Sequence, residues 1–332
     1  MLTAPVSRVA LPVHARQRHG YGPALETGAF AVDPLPHGQP WRRWADVADG
    51  EALGWFAPRF SVFDGPGGWI LLSPADVRGA VLDLSLVSEV GCCGLAGSEP
   101  NMTCTACGTP VANRIDDCDR RPAVWLDPRT VRVLDDGPGP QPPLDWAGLL
   151  IERPGIPPTE PHGSWDATWR AAAGSAVAHL LAATGGEPIR MRESRVAAIF
   201  RFALDQVTVP GPEHTLTLAG PGLPAPGGEL ALVPVHPQTG EWWPVDPPVT
   251  AIPLDWDVWS HLAHYPDTRP AGRSVPLPPE AERELLPGRF VPDGEVFMQV
   301  LARLPEVRLP ALRAVYERGL PYSYSYFNFD PL

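Results

Sequence analysis

Five cysteines are the residues of this chain best suited to hold a metal ion, and all of them fall within residues 92–118. Cys104 and Cys107 form a C-x-x-C pair followed by glycine, and Cys93 is also followed by glycine. Thiolates at this spacing can face one ion, and a following glycine lets the backbone turn sharply over the sulfurs. Four thiolates complete the tetrahedral shell that Zn²⁺ prefers. The spacing predicts a zinc site made of Cys93, Cys104, Cys107 and Cys118.

Such a shell of four thiolates has no open position for water, which indicates a structural ion rather than a catalytic one. Cys92 competes with Cys93 for one ligand position, because adjacent cysteines rarely bind the same ion; the glycine that follows Cys93 favours that residue. Two other uses of the thiols stay open. One is disulfide or redox chemistry, with Cys92 and Cys93 as the labile pair, and the other is an iron centre.

The segment 91–119 resembles a zinc ribbon, a fold that usually brings two C-x-x-C pairs to its ion. Only Cys104 and Cys107 have that spacing here, so the segment departs from the pattern at its outer cysteines. The resemblance implies bound zinc. The string from Gly91 to Cys118 is also similar to a segment of uncharacterised proteins from GC-rich bacteria, which implies no activity.

The composition excludes several classes of function. All 26 basic residues are arginine, so a Schiff-base lysine, a lysine general base and a phosphate-binding P-loop lysine are all impossible. The formal net charge of −12 would repel phosphate backbones, so we expect no nucleic-acid partner. The opening residues contain no long apolar stretch, which predicts neither a signal peptide nor a membrane span. Together with free thiols, this favours the cytoplasm.

The pattern of elements predicts an α+β fold of mixed strands and short helices, with the zinc-ribbon-like segment as a small excursion. Residues 60–63 and 69–72 flank a glycine-rich turn and predict a β-hairpin. Residues 123–126 and 131–134 predict two further strands. The clearest helix is Trp165–Thr184, with Ser164 as its cap and two glycines after its end.

Three regions follow from these elements. Residues 1–135 form an N-terminal α+β region that contains the metal-binding segment. Residues 136–164 are rich in proline and glycine and predict a linker. Residues 165–332 form a C-terminal α+β domain that ends in an aromatic tail, residues 321–332.

Two histidines are the strongest catalytic candidates outside the cysteines. His261 and His264 would lie on one face of a helix and could share an ion with His236 or Asp257. The alternative is that both histidines pack on the core beside aromatic residues. Trp242 and Trp243 are adjacent in a predicted extended segment, so one of the two rings should face outward.

The tail alternates tyrosine with serine, which would place Tyr322, Tyr324 and Tyr326 on one face of an extended strand. Such a strand could add to the sheet of a partner or of this chain. The sequence favours a non-enzymatic cytoplasmic protein that binds another protein or itself through this tail and is stabilised by zinc. The alternative is an enzyme that acts on a small molecule, with a site around His261 and His264.

Overall fold

The structure, a computed structural model, divides the chain into two compact units. Unit 1 comprises Met1–Pro143 with Pro237–Gly240, and unit 2 comprises Leu144–His236 with Glu241–Leu332. The residues that the structure describes are 1–17, 20, 22–38, 40–59, 61–118, 120–134, 142–160, 163–192, 194–264 and 288–319.

Unit 1 is built on a seven-stranded sheet in the order β1-β2-β5-β9-β8-β7-β6, in which only the β1–β2 pair is parallel. A separate antiparallel pair is formed by β3 and β4. The strands are β1 (Ser7–Arg8), β2 (Ala29–Asp33), β3 (Trp41–Arg43), β4 (Ser61–Phe63), β5 (Trp69–Leu72), β6 (Ala80–Leu82), β7 (Met102–Cys104), β8 (Pro110–Ile115) and β9 (Ala123–Leu126).

Both faces of the large sheet are covered. Along β5, Ile70 and Leu72 belong to one apolar cluster, while Trp69 and Leu71 belong to another on the opposite face. Successive side chains of a strand point to opposite faces, so a strand buried on both sides needs an unbroken apolar run. This explains why β5 and β9 are apolar at every position and fully buried.

Two strand predictions for this unit were wrong. The segments at 61–63 and 69–72 are both strands, but β4 pairs with β3 whereas β5 pairs with β2 and β9, so they form no hairpin. The glycine-rich segment between the two strands is typical of a hairpin turn. Each strand nevertheless pairs with strands that lie further away in the sequence. Residues 131–134 are not a strand, because β9 already ends at Leu126 and the chain turns at Asp127.

Unit 2 contains a four-stranded parallel sheet in the order β10-β11-β12-β13, with helices before, between and after the strands. Its elements are α1 (Trp146–Glu152), α2 (Ala167–Thr184), β10 (Ile189–Arg190), α3 (Arg195–Val207), β11 (His214–Leu218), β12 (Leu230–Val235), β13 (Thr250–Asp255), α4 (Trp256–His264), α5 (Gly294–Leu301) and α6 (Pro310–Arg318).

The long helix α2 was predicted from its apolar spacing, and the structure confirms it with a different cap. Asp166, not Ser164, caps the helix by accepting a hydrogen bond from the Trp169 backbone at 3.0 Å. Gly185 ends it in the left-handed conformation, with φ of 64°. Buried residues occur on every side of α2, which is the pattern of a helix at the centre of a unit.

The α+β class predicted from the sequence is confirmed, since helices occur together with parallel and antiparallel strands. The zinc-ribbon excursion is not confirmed: the C-x-x-C segment joins β7 to β8 inside the large sheet. No helix in the described part of the chain is long and apolar enough to cross a membrane. The aromatic tail, residues 321–332, lies outside the described residues.

The sheet of unit 2 carries a charge-dependent contact at His214. Its Nε2 lies 2.8 Å from Glu187 Oε2, and its Nδ1 lies 3.0 Å from Glu229 Oε2. Ionised carboxylates only accept hydrogen bonds, so both ring nitrogens donate when the imidazole is protonated. The bond with Glu187 and then the contact with Glu229 raise the pKa of His214 above its ordinary value, against the opposing effect of burial.

A raised pKa in the folded state predicts a definite pH dependence. The stabilisation by His214 should be complete below its unfolded pKa of about 6.5 and should fade as pH rises through the higher folded pKa. We expect the melting temperature of the wild type to fall across that window, and the fall to be smaller in His214→Gln. Calorimetric melts from pH 5.5 to 8.5 measure both slopes. Equal slopes in the two proteins would contradict the assignment.

Candidate metal centre

The five cysteines lie in two groups at opposite ends of strand β8. Cys104 and Cys107 belong to the turn that enters the strand, and Cys118 follows its far end. Cys92 and Cys93 lie with Cys118, because the Cys93 backbone N–H donates to Asp117 Oδ1 at 2.7 Å. Six residues of β-strand span roughly 20 Å. The strand therefore separates the C-x-x-C pair from the other three thiols.

A tight turn carries Cys92 and Cys93. The Gly91 N–H donates to the Gly94 carbonyl at 2.7 Å and closes the turn. The next residue, Leu95, exchanges two backbone hydrogen bonds of 2.9 Å with Asp116. These bonds hold the tip of the turn against the chain that leaves β8, and so bring residues far apart in sequence to one place.

Both glycines of this turn lie against residues 116–117. A Cβ atom on Gly91 would collide with the Asp117 carboxylate, and one on Gly94 would collide with the Asp116 carbonyl oxygen. At Gly94 two backbone segments approach each other closely, which glycine alone permits, whereas at Gly91 the neighbour is the Asp117 side chain. The glycine after Cys93, which the sequence marked, therefore serves to pack the turn against residues 116–117.

Two asparagines fasten the chain that follows the turn onto β8. The Asn101 side chain donates to the Arg114 carbonyl at 2.9 Å and accepts from the Arg114 N–H at 2.7 Å. The fully buried Asn113 donates to the Gly97 carbonyl at 2.7 Å. Hydrogen bonds between buried polar groups and backbone fix geometry, because breaking one leaves an unpaired buried group. The position of the cysteine turn is thus specified by the sheet.

The structure assembles one group of potential metal ligands among the residues it describes: three sulfurs and a carboxylate oxygen, all within 4.8 Å of one another. Cys92 Sγ lies 3.6 Å from Cys93 Sγ and 3.8 Å from Asp117 Oδ1. The cysteines are exposed and Asp117 is nearly buried. The members of the group are Cys92, Cys93, Asp117 and Cys118.

The thiols of Cys92 and Cys118 lie close to other acidic groups, and this disfavours their ionised forms. Hydrogen bonds with Cys118 and then Cys93, burial, and the charge of Asp117 raise the pKa of Cys92 to about 12. The pKa of Cys118 is also raised: its bond with Cys92 lowers it, but its bond with Cys93, burial and nearby charges outweigh that effect. A divalent cation would reverse the balance, since it deprotonates the thiols that coordinate it.

The predicted ligand set and the assembled group share two residues. Cys93 and Cys118 lie together as expected, while Cys104 and Cys107 are not members of this group. Cys92, expected to compete with Cys93, lies beside it. Asp117 was missed, although an acid next to a cysteine in the sequence was a usable signal, since carboxylates also bind zinc.

The other two cysteines form a separate arrangement. The Gly108 N–H donates to the Cys104 carbonyl at 2.8 Å, and Gly108 has a positive φ of 72°. Cys107 Sγ lies 3.3 Å from Thr109 Oγ1. Hydrogen bonds from the Thr109 hydroxyl, the Thr109 backbone and Cys104 lower the pKa of Cys107.

The histidine candidates pack on tryptophans. His261 and His264 both lie on α4, and their rings contact Trp169 and Trp259 at centroid distances of 5.5 Å each. Burial and then the charge of Arg195 lower the pKa of His261. Among the described residues, these histidines do not belong to any group of three or more potential metal ligands.

Their proposed co-ligands have other partners. Asp257 forms a two-point ion pair with Arg153, both contacts at 2.8 Å. His236 Nε2 lies 2.9 Å from the Leu144 carbonyl oxygen. The alternative that both histidines pack on the core fits these contacts better than an ion shared with His236 or Asp257 among the described residues.

Two tryptophan side chains pack at the carboxyl end of the parallel sheet. Open parallel sheets commonly bind ligands there. Here the buried Trp259 donates to the Ala219 carbonyl at 3.0 Å, and its ring lies so close to Gly220 that any side chain at that position would collide with it. Trp256 lies beside Trp259 and donates to the Arg153 carbonyl. The tryptophans here serve packing.

The prediction that one ring of the Trp242–Trp243 pair faces outward is confirmed. Trp242 is 47% exposed, whereas the ring of Trp243 packs against Trp146 at a centroid distance of 5.3 Å. The outward ring also contacts His179 at 5.7 Å, so part of its surface is covered.

Comparison with known proteins identifies no relative: no family model, curated protein or solved structure gives a significant match to this chain. The geometry of the chain itself is therefore the guide to its function. Its most specific feature is the convergence of three cysteines and one aspartate at the far end of β8.

Proposed function

We propose that this is a non-enzymatic cytoplasmic protein that binds or assembles other proteins, with unit 1 stabilised by a structural zinc ion. The ligands would be Cys92, Cys93, Cys118 and Asp117; two adjacent cysteines on one ion are unusual, and here the turn closed by Gly91 and Gly94 places both sulfurs beside Cys118 and Asp117. One observation carries the proposal: these four side chains place their ligand atoms within 4.8 Å of one another.

The donor set suits zinc. Three thiolates and one carboxylate supply four ligands of the types that Zn²⁺ accepts, and a full shell leaves no site for a reacting water. The ion would join the turn at residues 92–93 to the chain after β8. A metal that links distant segments stabilises the folded state, because the unfolded chain offers no preformed site.

Exposed apolar side chains support a binding role for unit 1. Val81 lies on β6, which is the last strand of the seven-stranded sheet, and is 50% exposed. Leu84 and Val90, which follow along the chain, are 77% and 69% exposed. An edge strand with apolar neighbours is a suitable surface for strand addition by a partner.

The aromatic tail is the partner-binding element in this proposal, through another protein or a second copy. The net charge of −12 favours a protein partner over nucleic acid. The enzyme alternative has less support, because tryptophan rings pack on His261 and His264 and one of them lies against Gly220 at the end of the parallel sheet.

Native mass spectrometry of the full chain and of a chain ending at Leu320 tests both parts of the proposal. The full chain, purified without added metal, should carry the mass of one zinc per protomer and show association. The shortened chain should keep its zinc and its melting temperature but lose association. A zinc-free full chain would refute the metal, and a shortened chain that associates normally would refute the role of the tail.

A further inference from the structure

The C-x-x-C pair at the near end of β8 has the geometry of a reversible disulfide. Cys104 and Cys107 are the first and fourth residues of a five-residue turn closed by the bond from Gly108 N–H to the Cys104 carbonyl. Such a turn has the hydrogen bond of one helical turn, in which residues i and i+3 lie about 5 Å apart at their Cα atoms, and native disulfides span about 4.4–6.8 Å. The two sulfurs can therefore be joined without moving the sheet.

The two thiols differ in access. Cys107 is exposed at the tip of the turn, while Cys104 is half-buried and pairs with Ala80 of the neighbouring strand. Thr109 Oγ1, 3.3 Å from Cys107 Sγ, can donate a hydrogen bond to a thiolate at that position. An accessible thiol with a less accessible one behind it is the arrangement of an attacking and a resolving cysteine.

A cavity of about 480 Å³ opens beside the pair. That volume lies within the range of about 300–1,000 Å³ that is typical of small-molecule sites. Its lining includes both cysteines, the apolar Leu2 and Val111, and Arg129. Arg129 is fixed by a two-oxygen contact with Asp127, with distances of 2.6 and 2.9 Å, so its charge is held at the cavity wall.

We propose that Cys104 and Cys107 form a thiol–disulfide couple that reacts with low-molecular-weight disulfides in this cavity. The Cys107 thiolate attacks one sulfur of the small disulfide and forms a mixed disulfide, and the other sulfur leaves as a thiolate that takes up a proton. The Cys104 thiolate then attacks the Cys107 sulfur, forms the internal disulfide and releases the second small thiol. Two protein thiols are oxidised, and one disulfide is reduced to two thiols.

Arg129 suggests the class of small disulfide. Asp127 occupies the Nε–Nη2 edge of Arg129, so a carboxylate of a small acidic thiol would bind the remaining N–H groups of the guanidinium, and disulfides of such thiols should react faster than neutral ones. The proposal is independent of the zinc site, since its residues lie at the other end of β8.

The test uses the full chain, oxidised glutathione as probe, alkylation of remaining thiols, and peptide mass mapping. Wild type should form the Cys104–Cys107 disulfide. Cys104→Ser should accumulate a glutathione adduct on Cys107, and Cys107→Ser should form neither product at this turn. Wild type that stops at the mixed disulfide would overturn the proposal, as would loss of bound zinc in either variant, which would assign the pair to the metal.

A second comparison tests the cavity. Arg129→Gln should slow the reaction with oxidised glutathione several-fold and leave the reaction with neutral hydroxyethyl disulfide unchanged. The neutral reagent is the control for any loss of folding. Equal slowing with both reagents would exclude a role for Arg129 in binding carboxylates, and unchanged rates with both would do the same.

Discussion

Cys93→Ser and Cys118→Ser should lose their zinc and melt at a lower temperature than the wild type. Each substitution removes a thiolate from the group of three sulfurs and Asp117, and a hydroxyl is a much weaker zinc ligand. Binding to the folded state alone stabilises a protein by about 4 kcal/mol when free ligand exceeds the dissociation constant a thousandfold. We expect a loss of that order in unit 1, because its sheet retains its own apolar clusters.

Elemental analysis and calorimetry measure the two effects. Cys104→Ser and Cys107→Ser are the matched controls, since they make the same chemical change in the same sheet but at the other end of β8. Both controls should keep one zinc per chain and a melting temperature near that of the wild type. Loss of zinc in all four variants would restore the single four-cysteine shell predicted from spacing.

In the cysteine segment, residue spacing predicted the two turns but not which cysteines lie together. The two glycine-flanked features, Cys93-Gly94 and the C-x-x-C pair, were recognised as sharp turns, and both are turns in the structure. Their grouping depends on the pairing of β8 with β7 and β9, which residue types inside the segment do not determine. Once β8 forms, about 20 Å of strand separates the two turns. The ligand group is therefore set by long-range pairing.

The fold shows the same difference between features set by local sequence and features set by long-range pairing. Helix α2 was predictable because its apolar spacing and its terminal glycine act within the helix itself. The false hairpin at 60–72 had an equally good local signal, yet β5 lies between β2 and β9, neither of which is its predicted partner. The parallel sheet of unit 2 was not predicted. Parallel pairing leaves no turn signature between neighbouring strands.

Gly94→Ala should weaken zinc binding although it leaves all five cysteines in place. The added Cβ would collide with the Asp116 carbonyl oxygen, so the turn at residues 92–93 would move away from Cys118. Overpacking of this kind costs about 1–3 kcal/mol. If that cost falls on the metal-bound state, zinc affinity should decrease by about ten- to a hundredfold. Competition with a chromophoric chelator measures the change.

Gly227→Ala is the matched control, because a Cβ at that position meets no atom within 4 Å. It should leave zinc affinity unchanged. Normal affinity in Gly94→Ala would mean that the turn need not approach Asp116 in order to bind the ion, and the ligand group at the far end of β8 would then lose its structural basis. A decrease in that variant alone would show that the close approach of two backbone segments, as well as the four ligand side chains, creates the site.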